Sequence, residues 1–389
     1  MLRSLFTGIT GLRAHQTMLD VTGNNIANVN TTGFKSSRAL FEDTLSQQLQ
    51  GAGAAGPNTG ATNPSQVGLG VQVSAITQDL TQGSTQSTAR ALDMMINGEG
   101  YFVVNVGGEN MYTRNGAFNI DPQGRLVTQG GGLVQGWSGV GGVIQSNRPI
   151  GAITLPLATT MPSRATDRVV MEGNLPFEAE VGKEFMRSIK VYDAAGVESM
   201  VEVTFARTAT GWGITATRGN DSATGALAVD ADGTVTGGNL TVGGAEIDLA
   251  AITGFANLTT VEASSQNGRS AGTLRSIGVN DDGTITGVFS NDQRLDIGQI
   301  AVAYFTNAGG LEKAGSSYAR ESTASGVPQI GTAGSGSRGG ITSRALEMSN
   351  VDLAQEFTSM IIAQRGFQAG SRIITTSDEV LQELVNLKR

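Results

Sequence analysis

Residues 24–37 read NNIANVNTTGFKSS, the chain's densest cluster of turn formers, with four asparagines and one glycine. The cluster follows an amphipathic helical pattern. Leu5, Leu12, Leu19 and Ile26 fall seven apart. Leu2, Ile9, Gln16 and Gly23 form the companion column at the alternating spacing of a heptad. The interior glycines Gly8, Gly11 and Gly23 each cost roughly 1 kcal/mol against alanine. Such a helix is marginal alone in water and needs a partner. The asparagines then mark where the chain leaves the helix, because their side chains bond backbone groups locally. Gly33 supplies a left-handed turn and Phe34 anchors the return.

The other end of the chain answers this pattern. Leu353, Met360, Phe367, Ile374 and Leu381 again fall seven apart, and Ile373, Val380, Leu384 and Leu387 mark a second stripe. Asn350 or Ser349 is suited to capping this helix, with Asp352 in its first turn. A helix with two apolar stripes calls for more than one partner. Inside each helix lies a low-complexity spacer, QGAGAAGPNTGATNPSQ (50–66) and STASGVPQIGTAGSGSRGG (322–340), loop-like by composition.

The middle is β-like. VQVSAITQDL (71–80) and IGQIAVAYF (297–305) carry strand patterns, and Gly- or Asp-containing turns recur. A change of texture near 146 marks an inserted domain. The expected order is an N-terminal core helix at 1–28, an Asn/Gly-rich connector at 29–66 and a first β domain at 67–145. An inserted outer β domain follows at 146–265, then the second part of the first β domain at 266–321. A Gly/Ser-rich connector at 322–349 and a C-terminal core helix at 350–389 complete it. The fold class is mixed and mainly β, with nested β domains and terminal helices that pair in a coiled-coil-like core.

Composition narrows the chemistry. The 389 residues suffice for two or three domains, and 55 glycines are about twice the usual share of ~7%, suiting short strands and tight turns. Net charge is −8, against a nucleic-acid footprint. No cysteine is present and His15 is the one histidine, so disulfides, thiolate chemistry and histidine-rich metal or triad sites are excluded. His15 lies off the main stripes and reads as a helix-flank residue. VDADGTVTGGNLT fails as a calcium loop, since Asn239 stands where the bidentate glutamate belongs; VNDDGTITGVFSN fails likewise at Phe289. GEGYFVV (98–104) lacks a Walker lysine and Rossmann spacing and reads as a turn entering a strand. No catalytic, cofactor-binding or metal site is expected. No apolar run reaches 18 residues, and polar residues interrupt the start SLFTGITGLRAH as a signal peptide.

NNIANVNTTGFKSSR, following GLRAHQTMLDVTG, resembles the N-terminal motif of the bacterial flagellar axial proteins of rod and hook. SNVDLAQEFTSMIIAQRGFQAGSRIITTSDEVLQELVNLKR looks like the end of flagellar hook proteins in particular. LDMMINGEGYFVV and YTRNGAFNIDPQGRLVTQGGGLVQGW are similar to the hook and distal-rod pattern. The resemblance implies a subunit exported unfolded by the type III apparatus without a cleaved signal. It implies polymerisation under a hook cap into a curved extracellular tube that joins rod to filament as a universal joint. The implied partners are further copies, the rod, the hook cap and the hook–filament junction proteins, with no nucleic acid and no membrane insertion. The chain departs from hook proteins with cysteine-derived cross-links, so its polymer is expected to be noncovalent. The subunit interface is expected at Leu5, Ile9, Leu12, Leu19, Ile26, Leu353, Phe357, Met360, Phe367, Ile374, Leu381 and Leu384. The connector is expected at Asn24, Asn25, Asn28, Asn30, Gly33 and Phe34, and an aspartate at Leu12 or Phe367 is expected to stop polymerisation. Two alternatives stay open: a distal-rod or junction protein, and a secreted β-rich adhesin. The adhesin reading leaves the terminal heptads unexplained.

Overall fold

The computed structural model describes residues 2–54, 60–139, 141–155, 160–230 and 233–386. Helix α1 spans Leu2–Ala27 and helix α2 spans Leu353–Asn386. Everything described between them is strand, turn or a short 3-10 segment. The protein is therefore mainly β with terminal helices, and those helices pair with each other.

Two compact units divide the chain, and each contains separate stretches of sequence. The first holds Met1–Leu155, Gly278–Thr286 and Asp296–Arg389; the second holds Pro156–Ile277 and Gly287–Leu295.

In the first unit the chain leaves α1 into a hairpin, Ser37–Asp43 against Val71–Gln78, which lies on α1. Nested within it, Ser46–Gln50 pairs with Ser65–Gly68. The 50–66 spacer is thus partly the end of a ladder, and its residues 55–59 lie outside the described residues. Beyond the hairpin, Tyr101–Val106 pairs with Glu109–Thr113 on one side and Leu133–Ser138 on the other. Ile300 in the strand Arg294–Tyr304 pairs with Gly136, and Tyr304 with Gln329. Tyr101, Tyr112 and Phe305 meet edge to face in this core, with centroids 6.0 and 4.7 Å apart.

The 322–340 segment also yields strands, Gln329–Thr332 and the start of Gly340–Ser343. Single apolar residues drive them: Ile341 is buried and Ile330 packs on the aromatic core. The glycines around them hide so short a signal from composition alone.

The second unit is two sheets sharing one core. Five antiparallel strands run in chain order from Glu184–Tyr192 to Val235–Gly237. A four-stranded sheet places Arg168–Asn174 between Ala245–Thr253, parallel, and Glu262–Gln266, antiparallel. In Glu198–Arg207 alternation buries Val201, Val203 and Phe205, the period of a half-buried strand. They join Trp212, Met171 and Ile247 in the core. Turns carry glycines in both units, as at Gly283 of the first, where φ is +80° and its N–H donates to Asn280 O at 2.9 Å, and at Gly196 of the second, where φ is +83°.

Candidate functional site

Both helices and their connector belong to the first unit. The helices run antiparallel. Ser4 Oγ lies 3.5 Å from Ser377 Oγ, Leu12 covers Gly370, and Asn25 Nδ2 donates to Glu356 Oε1 at 2.9 Å. The seam is made of small residues. Ala363, Gly370 and Ser377, seven apart, are the buried positions of α2 among the described side chains. A Cβ on Gly370 would come within 3.1 Å of Leu12 Cγ and 3.3 Å of Gly8 O, and one on Gly366 would run into the His15 ring. His15 is thus packing material: it covers Gly366 on one side and meets Phe41 edge-on at 6.1 Å on the other.

Small residues let the backbones approach, which turns the bulky stripe of α2 outward. Leu353, Phe357, Ile361, Ile362, Phe367, Ile373 and Val380 are exposed, with Phe357 at 51% and Ile362 at 56%. Met360, Ile374 and Leu381 are half-buried at the edge of the seam, as are Leu5, Ile9, Leu12, Leu19 and Ile26 on α1. The Leu384 side chain and residue Leu387 lie outside the described residues. Exposed apolar surface on this scale marks an interaction face.

The start of α2 differs in detail from the sequence expectation. Asp352 is the cap, accepting from Ala354 N at 2.8 Å and Gln355 N at 3.2 Å. Asn350 instead ties the connector to the loop after the hairpin. Its Oδ1 accepts from Ser36 N at 2.8 Å and its Nδ2 donates to Asp79 O at 2.9 Å.

The connector is a polar knot. Asn25, 1% exposed, donates to Ser37 O at 2.7 Å and accepts from Ser37 N at 3.0 Å while also holding Glu356. Asn28 Nδ2 donates to Asn24 O at 2.9 Å and to Asn24 Oδ1 at 3.5 Å, and Asn30 is exposed. Gly33 takes φ +69°, donates to Glu347 O at 2.7 Å and lies so near Arg114 that a Cβ would stand 2.8 Å from its carbonyl carbon. The Lys313 ammonium sits 5.3 Å from the centre of the Phe34 ring.

Behind this turn lies a buried ion cluster that sequence reading did not find. Lys35 Nζ is 2.5 Å from Glu347 Oε1 and donates to Thr81 O at 2.6 Å. Gly83 N also donates to Glu347 Oε1, at 3.0 Å. Arg114 Nη1 lies 3.5 Å from Glu347 Oε2, and its guanidinium lies over Tyr101. Burial, opposed by the Glu347 contact, pushes the Lys35 ammonium below the usual lysine range. Lys35 belongs to the Asn-rich stretch itself, but its partner stands 312 positions away and no local spacing encodes the pair.

Among the described residues no helix is long and apolar enough to cross a membrane, and no group of three acidic or histidine side chains is placed to hold a metal.

A mainly β body carried on an antiparallel terminal helix pair defines the class. Models for three families match: flagella basal body rod protein over residues 5–35, the D1 domain of flagellar hook protein FlgE/F/G over 95–172, and the C-terminal part of flagellar basal body rod FlgEFG protein over 342–387. A protein named flagellar hook protein FlgE from Treponema pallidum is 36% identical, with all of both chains covered. One of the same name from Salmonella typhimurium is 36% identical over 99% of this chain and 100% of its own. A Bacillus subtilis protein named flagellar basal-body rod protein FlgG is 34% identical, again covering both chains fully. The crystal structure of Helicobacter pylori flagellar hook protein FlgE2 superposes with TM-score 0.55 at 14% identity, over 68% of this chain and 100% of that one, which shows a shared fold. The chain belongs to the flagellar hook protein family, a family of structural proteins.

Proposed function

We propose that this chain is the structural subunit of a flagellar hook, polymerising into a short, curved, flexible tube that passes torque from rod to filament. The outward apolar face of α2 carries this reading. Leu353, Phe357, Phe367 and their neighbours are left exposed by the described residues and are buried when copies stack their helix pairs. Leu5, Ile9, Leu12, Leu19, Ile26, Met360, Ile374 and Leu381 complete that interface at the edges of the seam, and Leu384 is assigned to it from the apolar stripe of the sequence alone. Asn24, Asn25, Asn28, Asn30, Gly33 and Phe34 set the angle between the helical core and the β strands of the first unit.

The subunit travels unfolded through the type III export apparatus and acts outside the cell. Its neighbours are the rod, the hook cap and the hook–filament junction proteins. With no cysteine in the chain, cysteine-derived cross-links are ruled out. The similarity to a rod-named relative keeps one other assembly in view, a straight distal rod.

Electron microscopy of purified protein before and after adding ammonium sulfate, which strengthens apolar burial, tests the reading. Curved hollow tubes are expected. Straight, stiff tubes would favour the rod, and persistent monomers with protease-resistant terminal helices would overturn both. Glycan binding by the β units without any tubes would restore the adhesin.

A further inference from the structure

Between the connector and the β strands of the first unit lies a pocket of about 340 Å³, lined by Phe34, Tyr101 and Tyr112 and by three cations, Lys35, Arg114 and Lys313. No aspartate or glutamate lines it. The nearby carboxylate of Glu347 is shared by Lys35, at 2.5 Å, and Arg114, at 3.5 Å. Lys313 Nζ donates to Ser37 Oγ at 3.0 Å and has no carboxylate within ion-pair distance among the described residues. Arg114 is 8% exposed, and its Nε is buried without any hydrogen-bond partner. A buried guanidinium N–H is costly to leave unpaired. Asp79, Glu99 and Glu321 act on Lys35, Tyr101 and Tyr112 from outside the lining, so it is the lining itself, with Arg114 Nε and Lys313 Nζ unmatched by a carboxylate there, that is cationic.

We infer that the pocket binds a carboxylate anion attached to an apolar body. The carboxylate answers the Arg114 Nε–H and the Lys313 ammonium through charge-assisted hydrogen bonds. The apolar part lies against Phe34 and Tyr101. The size and mixed lining suit a small ligand or a single side chain. Because Phe34 comes from the connector, Arg114 from the bend that ends strand Glu109–Thr113 and Lys313 from strand Glu312–Gly315, a bound carboxylate ties the connector to the β strands.

Calorimetric titration of the full-length protein with benzoate, and with uncharged benzamide, tests this. Benzoate is expected to bind at least about 10-fold more tightly than benzamide, and Lys313→Met to weaken benzoate by at least about 10-fold. Lys313 makes one hydrogen bond and one ring contact but no ion pair, and an unchanged urea-unfolding midpoint of Lys313→Met checks that the fold is kept. No heat from benzoate, equal binding of benzamide, or a Lys313→Met variant that binds as before would each overturn the site. The source of the natural carboxylate rests on the hook reading and is read separately. If benzoate lowers the pelleted polymer, an acidic side chain of a second copy fills the pocket in the tube. If benzoate binds and polymer is unchanged, a free carboxylate is the ligand. The titration is made on monomer, so a chain that forms no tubes still answers the binding question.

Discussion

Glu347 is fully buried, with its carboxylate against two cations drawn from distant parts of the chain. Removing one partner of such a cluster strands the other charges in a medium that solvates them poorly. Glu347→Gln is therefore expected to destabilise the first unit by about 3–5 kcal/mol, read from urea unfolding. Asn25 offers a sharper comparison. Its side chain makes three hydrogen bonds at 1% exposure, and Asn25→Ala leaves Ser37 and Glu356 short of partners, at a cost of roughly 1–3 kcal/mol. Asn30, in the same motif but exposed, is expected to tolerate alanine within about 0.5 kcal/mol by the same urea measurement. Equal effects at the two positions would contradict this local account. The asparagine cluster was legible in the sequence as a helix exit. Which asparagine holds the turn together was not, because that depends on Ser37 and Glu356 arriving from two other elements.

The helices were legible as elements because both carry a sustained seven-residue repeat. Their seam was harder to see. Ala363, Gly370 and Ser377 follow the same period as Leu353, Met360 and Phe367, but small residues carry little apolar signal, and a search for bulk passes over them. Close approach of two backbones selects the very residues that hydropathy ignores. Gly370→Val is accordingly expected to force α1 and α2 apart, since even its Cβ would press on Leu12 and on the Gly8 carbonyl. Faster proteolysis within α1, with an unchanged β-sheet circular-dichroism signal, would register this. Phe367→Asp acts beside the seam, since Phe367 lies four residues after Ala363 and three before Gly370 yet is exposed. Its ring is 39% exposed in the single chain, so the fold should melt as before while tubes disappear from micrographs. Normal tubes from this variant would count heavily against the outward stripe as the subunit contact. Leu12→Asp is a less clean probe, because Leu12 also closes the intramolecular seam.

At the scale of the whole molecule, the β units were legible as texture. Alternating strands such as Glu198–Arg207 and glycine turns such as that at Gly283 appear in the sequence as they stand in the fold. What no local pattern marked is the second visit of the chain, at Gly287–Leu295, to the second unit, since long-range strand pairing leaves no local mark. Charge has a consequence here too. Each copy carries a net charge of −8, and the proposed contact between copies is apolar. Added sodium chloride should therefore promote polymerisation by screening repulsion, and ammonium sulfate should promote it further by strengthening burial. Sedimentation of polymer across a salt series checks this; tubes that dissolve as salt rises would point instead to ion pairs between subunits.

The buried cluster also sets an order of events. Lys35 and Arg114 lie in the first third of the chain, and Glu347 lies 312 positions after Lys35, just before α2. A chain emerging from its N-terminus presents the two cations long before the acid that neutralises them. Until residue 347 arrives, closing the connector would bury uncompensated charge. The residue that makes the turn stable arrives 312 positions after Lys35, so the angle between helix and β strands is locked only once Glu347 has emerged.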